Sequence, residues 1–153
     1  MSACPIPEQN PSRASLSLDS TVESINLVER TAYQFAQSAG FCDGELDNIS
    51  LAAREAAANA VLHGNRKDAS KKLAISLETT AQALTIRVAD QGSGFNPDSV
   101  PNPVAPENIL RQCGRGIFLI RTFVDELHFR ALHPGTELTL IKYRRSNKKE
   151  CCS

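Results

Sequence analysis

Apolar residues recur at two different periods along this chain, and each change of period marks a new element. Ala14, Leu16 and Leu18 alternate with serines, as in a short strand with one covered face. Ser20-Thr-Val-Glu23 then forms a capping-box pattern. Val22, Ile25, Val28, Ala32, Phe35 and Ala39 follow at helical spacing until Gly40 ends the run. Asp43 is placed to cap a second helix, in which Leu46 and Ile49 lead into Leu51-Ala-Ala-Arg-Glu-Ala-Ala-Ala-Asn-Ala-Val-Leu-His-Gly-Asn65, with Gly64-Asn65 marking its end. Past a charged connection the period falls to two. Leu73, Ile75 and Leu77 alternate, then Leu84, Ile86 and Val88, which predicts an antiparallel hairpin with one covered face. From Asn96 to Gly114 the chain carries four prolines and almost no periodicity. A structureless stretch of that length inside a domain is commonly a lid or binding loop. Ile117 to Val124 reads as a short buried helix, with a strand as the alternative. Leu127, Phe129 and Ala131, a turn at His133-Pro-Gly135, and Leu138 and Leu140 predict a second hairpin.

This order predicts an α+β protein: a two-layer sandwich with helices on one face of a mixed, mostly antiparallel sheet. Three segments are expected, namely an N-terminal arm over 1–13, one folded domain over 14–143, and a basic, solvated tail over 144–153. At 153 residues the domain is large enough to bury a core without staples. Lys and Arg equal Asp and Glu at 17 each, which argues against binding nucleic acid through bulk charge and leaves no direct nucleic-acid partner expected. No apolar run approaches the roughly 20 residues that cross a bilayer, and the proline-containing N-terminus has no signal-peptide core. A cytoplasmic protein without membrane contact is expected. The five cysteines are scattered, with no C-x-x-C pair, and reduced thiols are expected.

Candidate chemistry gathers where regular elements end. On a helix, Leu51, Glu55, Asn59 and His63 share one stripe, while Ala53, Ala56, Ala57 and Ala60 form a small-residued side able to lie close against a sheet. Asp90-Gln-Gly-Ser-Gly-Phe95 follows a strand. Its carboxylate and two glycines suit close approach of a ligand, although ordinary turns use the same residues. Gly114-Arg-Gly116 before a helix offers free N–H groups to phosphate oxygens, and a plain loop-to-helix hinge would look alike. The ordered combination of Glu-x-x-x-Asn, Asp-x-Gly-x-Gly, a long loop, Gly-x-Gly and Gly135-Thr136 is far more specific than its parts.

That combination resembles the GHKL ATPase superfamily, which includes DNA gyrase, the large heat-shock chaperone ATPases, histidine kinases and mismatch-repair ATPases. Its likeness is strongest to the bacterial branch of anti-sigma factors that are also serine-protein kinases. Glu55 to His63 resembles the N box, Asp90 to Phe95 the first glycine box, Gly114 to Ile120 the second, and Gly135 to Leu138 the last. Phe123-Val-Asp-Glu-Leu127 is similar to the anti-sigma branch, and the resemblance runs from Ala14 to Tyr143. It implies ATP and Mg²⁺ as cofactors. Asp90 would accept from the adenine amino group, Thr136 would support adenine, and Gly92 and Gly94 would shape its pocket. Asn59 would hold Mg²⁺, Gly114 and Gly116 would let backbone wrap the phosphates, and Arg115 would either add charge on the phosphate side or point to solvent. Glu55 would be the general base, and His63 a packing or hydrogen-bonding residue rather than a catalyst. The three histidines all lie inside the ATPase-like region, so a self-contained sensor histidine kinase is not expected. The implied function is an ATP-binding anti-sigma factor, a homodimer, that phosphorylates a serine on a STAS-type antagonist and otherwise holds a sigma factor. A non-catalytic ATP-gated regulator, or a kinase of a partner unrelated to sigma factors, would carry much the same site.

Overall fold

The computed structural model describes residues 12–66, 68, 70–92 and 115–144. The expected lid over 96–113, Gly94, Gly114, the side chain of Arg115, and the terminal segments 1–11 and 145–153 lie outside them. The described residues form β1 (Ser12–Asp19), α1 (Val22–Ser38), α2 (Asp43–Asn59, continued as a π turn over Ala60–Gly64), β2 (Lys72–Thr79), β3 (Ala83–Ala89), α3 (Arg115–Phe123), β4 (Glu126–Ala131) and β5 (Thr136–Tyr143). The strands make one sheet in the order β1-β2-β3-β5-β4, and every ladder is antiparallel. The α+β sandwich is therefore as the periodicity predicts, including both hairpins.

Period-two alternation places one residue in two on the helix side of the sheet. Leu73, Ile75, Leu77, Leu84, Ile86, Val88, Leu138 and Leu140 are all buried there, in register across Ile75↔Val88 and Val88↔Leu138. The opposite face carries residues such as Arg13, Glu78 and Arg87, which are linked by ion pairs, as expected of an antiparallel sheet with one solvated side. Lys142 occupies the inward position after Leu140 and is buried, its ammonium 3.9 Å from the Asp125 carboxylate.

Ile25, Val28, Ala32 and Ala36 bring α1 onto the sheet. Val22 does not join them and is 54% exposed, because the apolar spacing begins one turn before the helix reaches the core. The N-cap is Thr21 rather than Ser20. Thr21 Oγ1 accepts from the Ser24 amide at 3.2 Å, which frees the Ser20 hydroxyl to donate to the Lys71 carbonyl at 2.7 Å. Gly40, at φ +90°, turns the chain out of α1. Asp43 is already helical and Cys42 holds the N-cap position of α2, with Asp43 and Glu45 in the first turn, where the macrodipole favours negative charge. Cys42 is disulfide-bonded, contrary to the expected free thiols, and its partner lies outside the described residues. Arg144, expected to be solvated, is instead held in place. It donates to the carbonyls of Thr80 and Ala39 and lies 5.1 Å above the Phe41 ring.

The alanine side of α2 behaves as its small residues imply. Ala52, Ala53, Ala56 and Ala57 have no exposed surface, so the α2 backbone sits close to its neighbours, and Arg54 fastens it to Asn26 and Glu29 of α1. Such packing has no room for extra methylenes, whose insertion typically costs about 1–3 kcal/mol. Ala57→Leu is therefore expected to lower unfolding stability by about that amount, measured by urea denaturation. An unchanged midpoint would show that α2 has slack against the core.

Candidate functional site

Asp90 ends β3 and is 8% exposed. Its backbone amide donates to the Thr136 carbonyl at 3.0 Å. Its Oδ1 accepts from the amides of Gly92 at 2.9 Å and Thr136 at 3.2 Å. Oδ2 accepts no hydrogen bond from any described residue, so an acceptor stands open in a mostly buried site. Burial pushes the Asp90 pKa up, outweighing the two amide hydrogen bonds that lower it.

Three backbone segments close on this carboxylate at distances only glycine permits. A Cβ on Gly64 would lie 2.3 Å from Asp90 Oδ2, one on Gly92 would lie 2.0 Å from the Gly64 carbonyl oxygen, and one on Gly135 would lie 2.0 Å from the Asp90 carbonyl oxygen. Gly135 also has φ +108°, which L side chains rarely adopt. Gly92, Gly135 and Thr136 are thus brought to Asp90 as the sequence suggests. Gly64, read from sequence only as a helix end, belongs to the same group.

Asn65 is a second residue that sequence reasoning missed. It is wholly buried. Its Nδ2 donates to Ser20 Oγ at 2.7 Å and to the Lys72 carbonyl at 3.1 Å, and its Oδ1 accepts from the Gln91 amide at 2.8 Å. One carboxamide thereby fixes the end of α2 to the starts of α1 and β2 and to the turn after Asp90. The only local signals are its place after Gly64 and the π turn before it, a widening of the helix frequent at functional sites.

A second cluster lies along α2 from this end. Gly116, in the first turn of α3, packs over Asn59 and Glu55. A Cβ there would be 3.0 Å from Asn59 Oδ1, 3.1 Å from its Nδ2 and 3.3 Å from Glu55 Oε2. Asn59 is 8% exposed, and its Nδ2 is buried with no hydrogen-bond partner. Native proteins seldom leave a buried amide unpaired, so this group is poised for a ligand. Glu55 makes no hydrogen bond or ion pair with a described residue. His63 is exposed in the π turn and its side chain bonds to no described residue, so it neither packs nor hydrogen-bonds as expected. Among the described residues no group of three His, Cys, Asp or Glu side chains could hold a metal ion unaided, and no helix is long and apolar enough to cross a membrane.

The Mg²⁺ implied by the sequence resemblance fits these residues. The two ends of an amide are assigned from hydrogen bonding, and the Asn59 side chain makes none with a described residue, so its oxygen is available to a hard cation. Magnesium retains several waters and takes few protein oxygens, and nucleotide phosphates would supply the rest.

A family model for the histidine kinase-like ATPase domain matches residues 18–142, which include Glu55, Asn59, Asp90, Gly116 and Thr136. The serine-protein kinase RsbW of Bacillus subtilis is 27% identical over 127 residues, covering 79% of each chain. The protein of the same name from Staphylococcus epidermidis is 28% identical over 133 residues, covering 82% of this chain and 83% of that one. A crystal structure of the RsbU and RsbW domains of a Mycobacterium tuberculosis protein superposes with a TM-score of 0.62 at 19% identity. It covers 89% of this chain and 34% of that longer one, a likeness of fold.

The raised pKa of Asp90 has a consequence for stability. A carboxyl whose pKa rises on folding contributes stability that is present below its unfolded pKa of about 3.9 and is lost as pH rises through the folded value. Asn at this position keeps the Oδ1 acceptor and has no charge to bury. The melting temperature of Asp90→Asn relative to wild type is expected to be higher at neutral pH than at about pH 4, measured by calorimetry without nucleotide. A difference that does not change with pH would show that burial does not act on this carboxyl.

Proposed function

The chain belongs to the histidine kinase-like ATPase family, and on that footing we propose that it is an ATP-dependent protein serine kinase acting as an anti-sigma factor in partner switching. The observation that carries the reading is the pairing of Glu55 with Asn59, one turn apart on α2 beneath Gly116 at the N-terminus of α3. An open carboxylate beside an unpaired carboxamide is what transfer of a phosphoryl group needs, and a pure nucleotide binder has no use for the carboxylate. Relatives along most of the chain are named serine-protein kinases, which supports the choice of acceptor chemistry.

In this reading Asp90 Oδ2 accepts a hydrogen bond from the adenine amino group, and the Thr136 side chain supports the base. Asn59 holds Mg²⁺, which neutralises charge on the phosphates when bound. The N–H groups opening α3, with Gly116 among them, face phosphate oxygens, with Gly114 and Arg115 just before and at the helix start. Glu55 accepts the proton of the attacking serine hydroxyl. The hydroxyl oxygen bonds to the γ-phosphorus, the bond from that phosphorus to the β–γ bridging oxygen breaks, and ADP leaves. The acceptor is a STAS-type antagonist, and a sigma factor is bound when the antagonist is phosphorylated. The homodimer belongs to the same reading. The outer edge of β1 pairs with no described strand, and an open edge is a template for a second chain.

Glu55→Gln preserves size and removes the base. Mg-ATP affinity is expected to hold while transfer to a purified STAS-domain antagonist from the same cell falls by roughly 10²-fold or more. Asn59→Ala is expected to lose Mg²⁺-dependent nucleotide affinity together with transfer. Asp90→Asn is expected to weaken ATP binding by about 1.5–3 kcal/mol, through loss of a hydrogen bond to a charged acceptor. Labelled ATP and titration calorimetry separate the three. Tight ATP binding by wild type without labelling of a serine would instead make the protein an ATP-gated binding module.

A further inference from the structure

Resting on the kinase reading, the direction of α2 says where the acceptor protein must come from. Gly64 lies against Asp90, where adenine would bind. Asn59 follows one to two turns back along the helix, Glu55 one turn further and Leu51 another. Helical rise makes each of these last steps about 6 Å. Base, phosphates and acceptor hydroxyl thus succeed one another toward the N-terminus of α2, and the protein bearing that hydroxyl meets the turn at Leu51.

α3 brings a second surface to the same place. It begins over Asn59 and Glu55 through Gly116. It ends beside the far end of β5, where the Asp125 amide donates to the Ile141 carbonyl, while the near end of β5, at Thr136, is bonded to Asp90. α2 runs the other way, from Phe41, beside Arg144, to Gly64, beside Asp90. The two helices are therefore antiparallel, and the turn of α3 after Gly116, carrying Phe118 and Leu119, advances toward Leu51. Ile117 and Ile120 turn into the core, and Phe118 and Leu119 do not. Phe118 is 66% exposed, and Leu51 and Leu119 are each 40% exposed. Large apolar side chains left exposed at a surface mark contact with a partner, and aromatic ones commonly anchor it.

The geometry points to Leu51, Phe118 and Leu119 as the docking surface for the phosphate-accepting protein, whose serine is presented to Glu55 with apolar side chains beside it. The patch adjoins the one group that must touch the acceptor hydroxyl and, at Leu51, stands two turns beyond the group assigned to the metal. A contact there positions the acceptor without touching the nucleotide.

The test is steady-state transfer from ATP to a purified STAS-domain antagonist, comparing wild type with Phe118→Ser, Leu119→Ser and Leu51→Ser. KM for the antagonist is expected to rise at least tenfold in each, with ATP affinity and melting temperature unchanged. Glu55→Gln, in contrast, lowers kcat. Unchanged KM in variants that still transfer phosphate overturns the docking surface and leaves the kinase intact. Loss of ATP affinity in place of antagonist KM also overturns it, and makes segment 93–114 of this chain the occupant. Wild-type protein that transfers nothing to the antagonist overturns the kinase reading and the docking surface with it.

Discussion

Burying a carboxylate at the end of β3 carries a desolvation penalty that two amide donors offset only in part, and the surrounding chain is shaped by that fact. The donors come from residues 92 and 136, so the turn after β3 and the start of β5 must both reach Asp90. They reach it because Gly64, Gly92 and Gly135 let backbone approach backbone at distances a single Cβ would forbid. Asn65 then ties the same region to α1 and β2 through buried hydrogen bonds. The opposite end of the sheet is held differently, by Arg144, whose guanidinium donates to the Thr80 and Ala39 carbonyls and lies over the Phe41 ring.

The alanine side of α2 supplies the complementary constraint. A helix lined with leucine would stand further from its neighbours. With Ala53, Ala56 and Ala57 fully buried, α2 lies deep enough for Gly64 to meet Asp90 at one end while Gly116 of α3 settles on Asn59 midway along. Small residues on one face thus fix the position of polar residues on another. Asn59 itself is left with an unpaired buried nitrogen, a local cost carried within a core otherwise made of aliphatic side chains.

Elements were legible in the sequence wherever one period ran for several residues. Leu73 to Leu77 and Leu84 to Val88 pair as the alternation implies, and Ile25, Val28 and Ala32 bury one face of α1. Boundaries were less legible because neighbouring polar residues compete for the same job. Ser20 and Thr21 can each cap α1, and Ser20 is withdrawn by a carbonyl 51 residues away. Cys42 takes the cap position that Asp43 suggests because Asp43 is already inside the helix. The motif residues Glu55, Asn59, Asp90 and Thr136 were legible because glycines and polar side chains interrupt apolar runs there. Asn65 was not, since its bonds reach residues 20, 72 and 91 and its place after Gly64 signals only a helix end. The inward-facing Lys142 was hidden for a similar reason, its partner Asp125 lying before another strand.

These two kinds of residue place different limits on change in the chain. Gly64, Gly92 and Gly135 leave no room for a Cβ and Asn65 is buried and hydrogen-bonded, so the Asp90 end of the site admits almost no substitution without disturbing α2, β3 and β5 together. Leu51, Phe118 and Leu119 lie outside the core cluster, and substitution there costs little stability. Glu55 stands between the two groups, on a helix held by one and beside the surface formed by the other. On the proposed kinase reading, a chain built this way would keep one phosphate chemistry while the receiving protein changes, because substitutions at Leu51, Phe118 and Leu119 disturb none of the close approaches around Asp90.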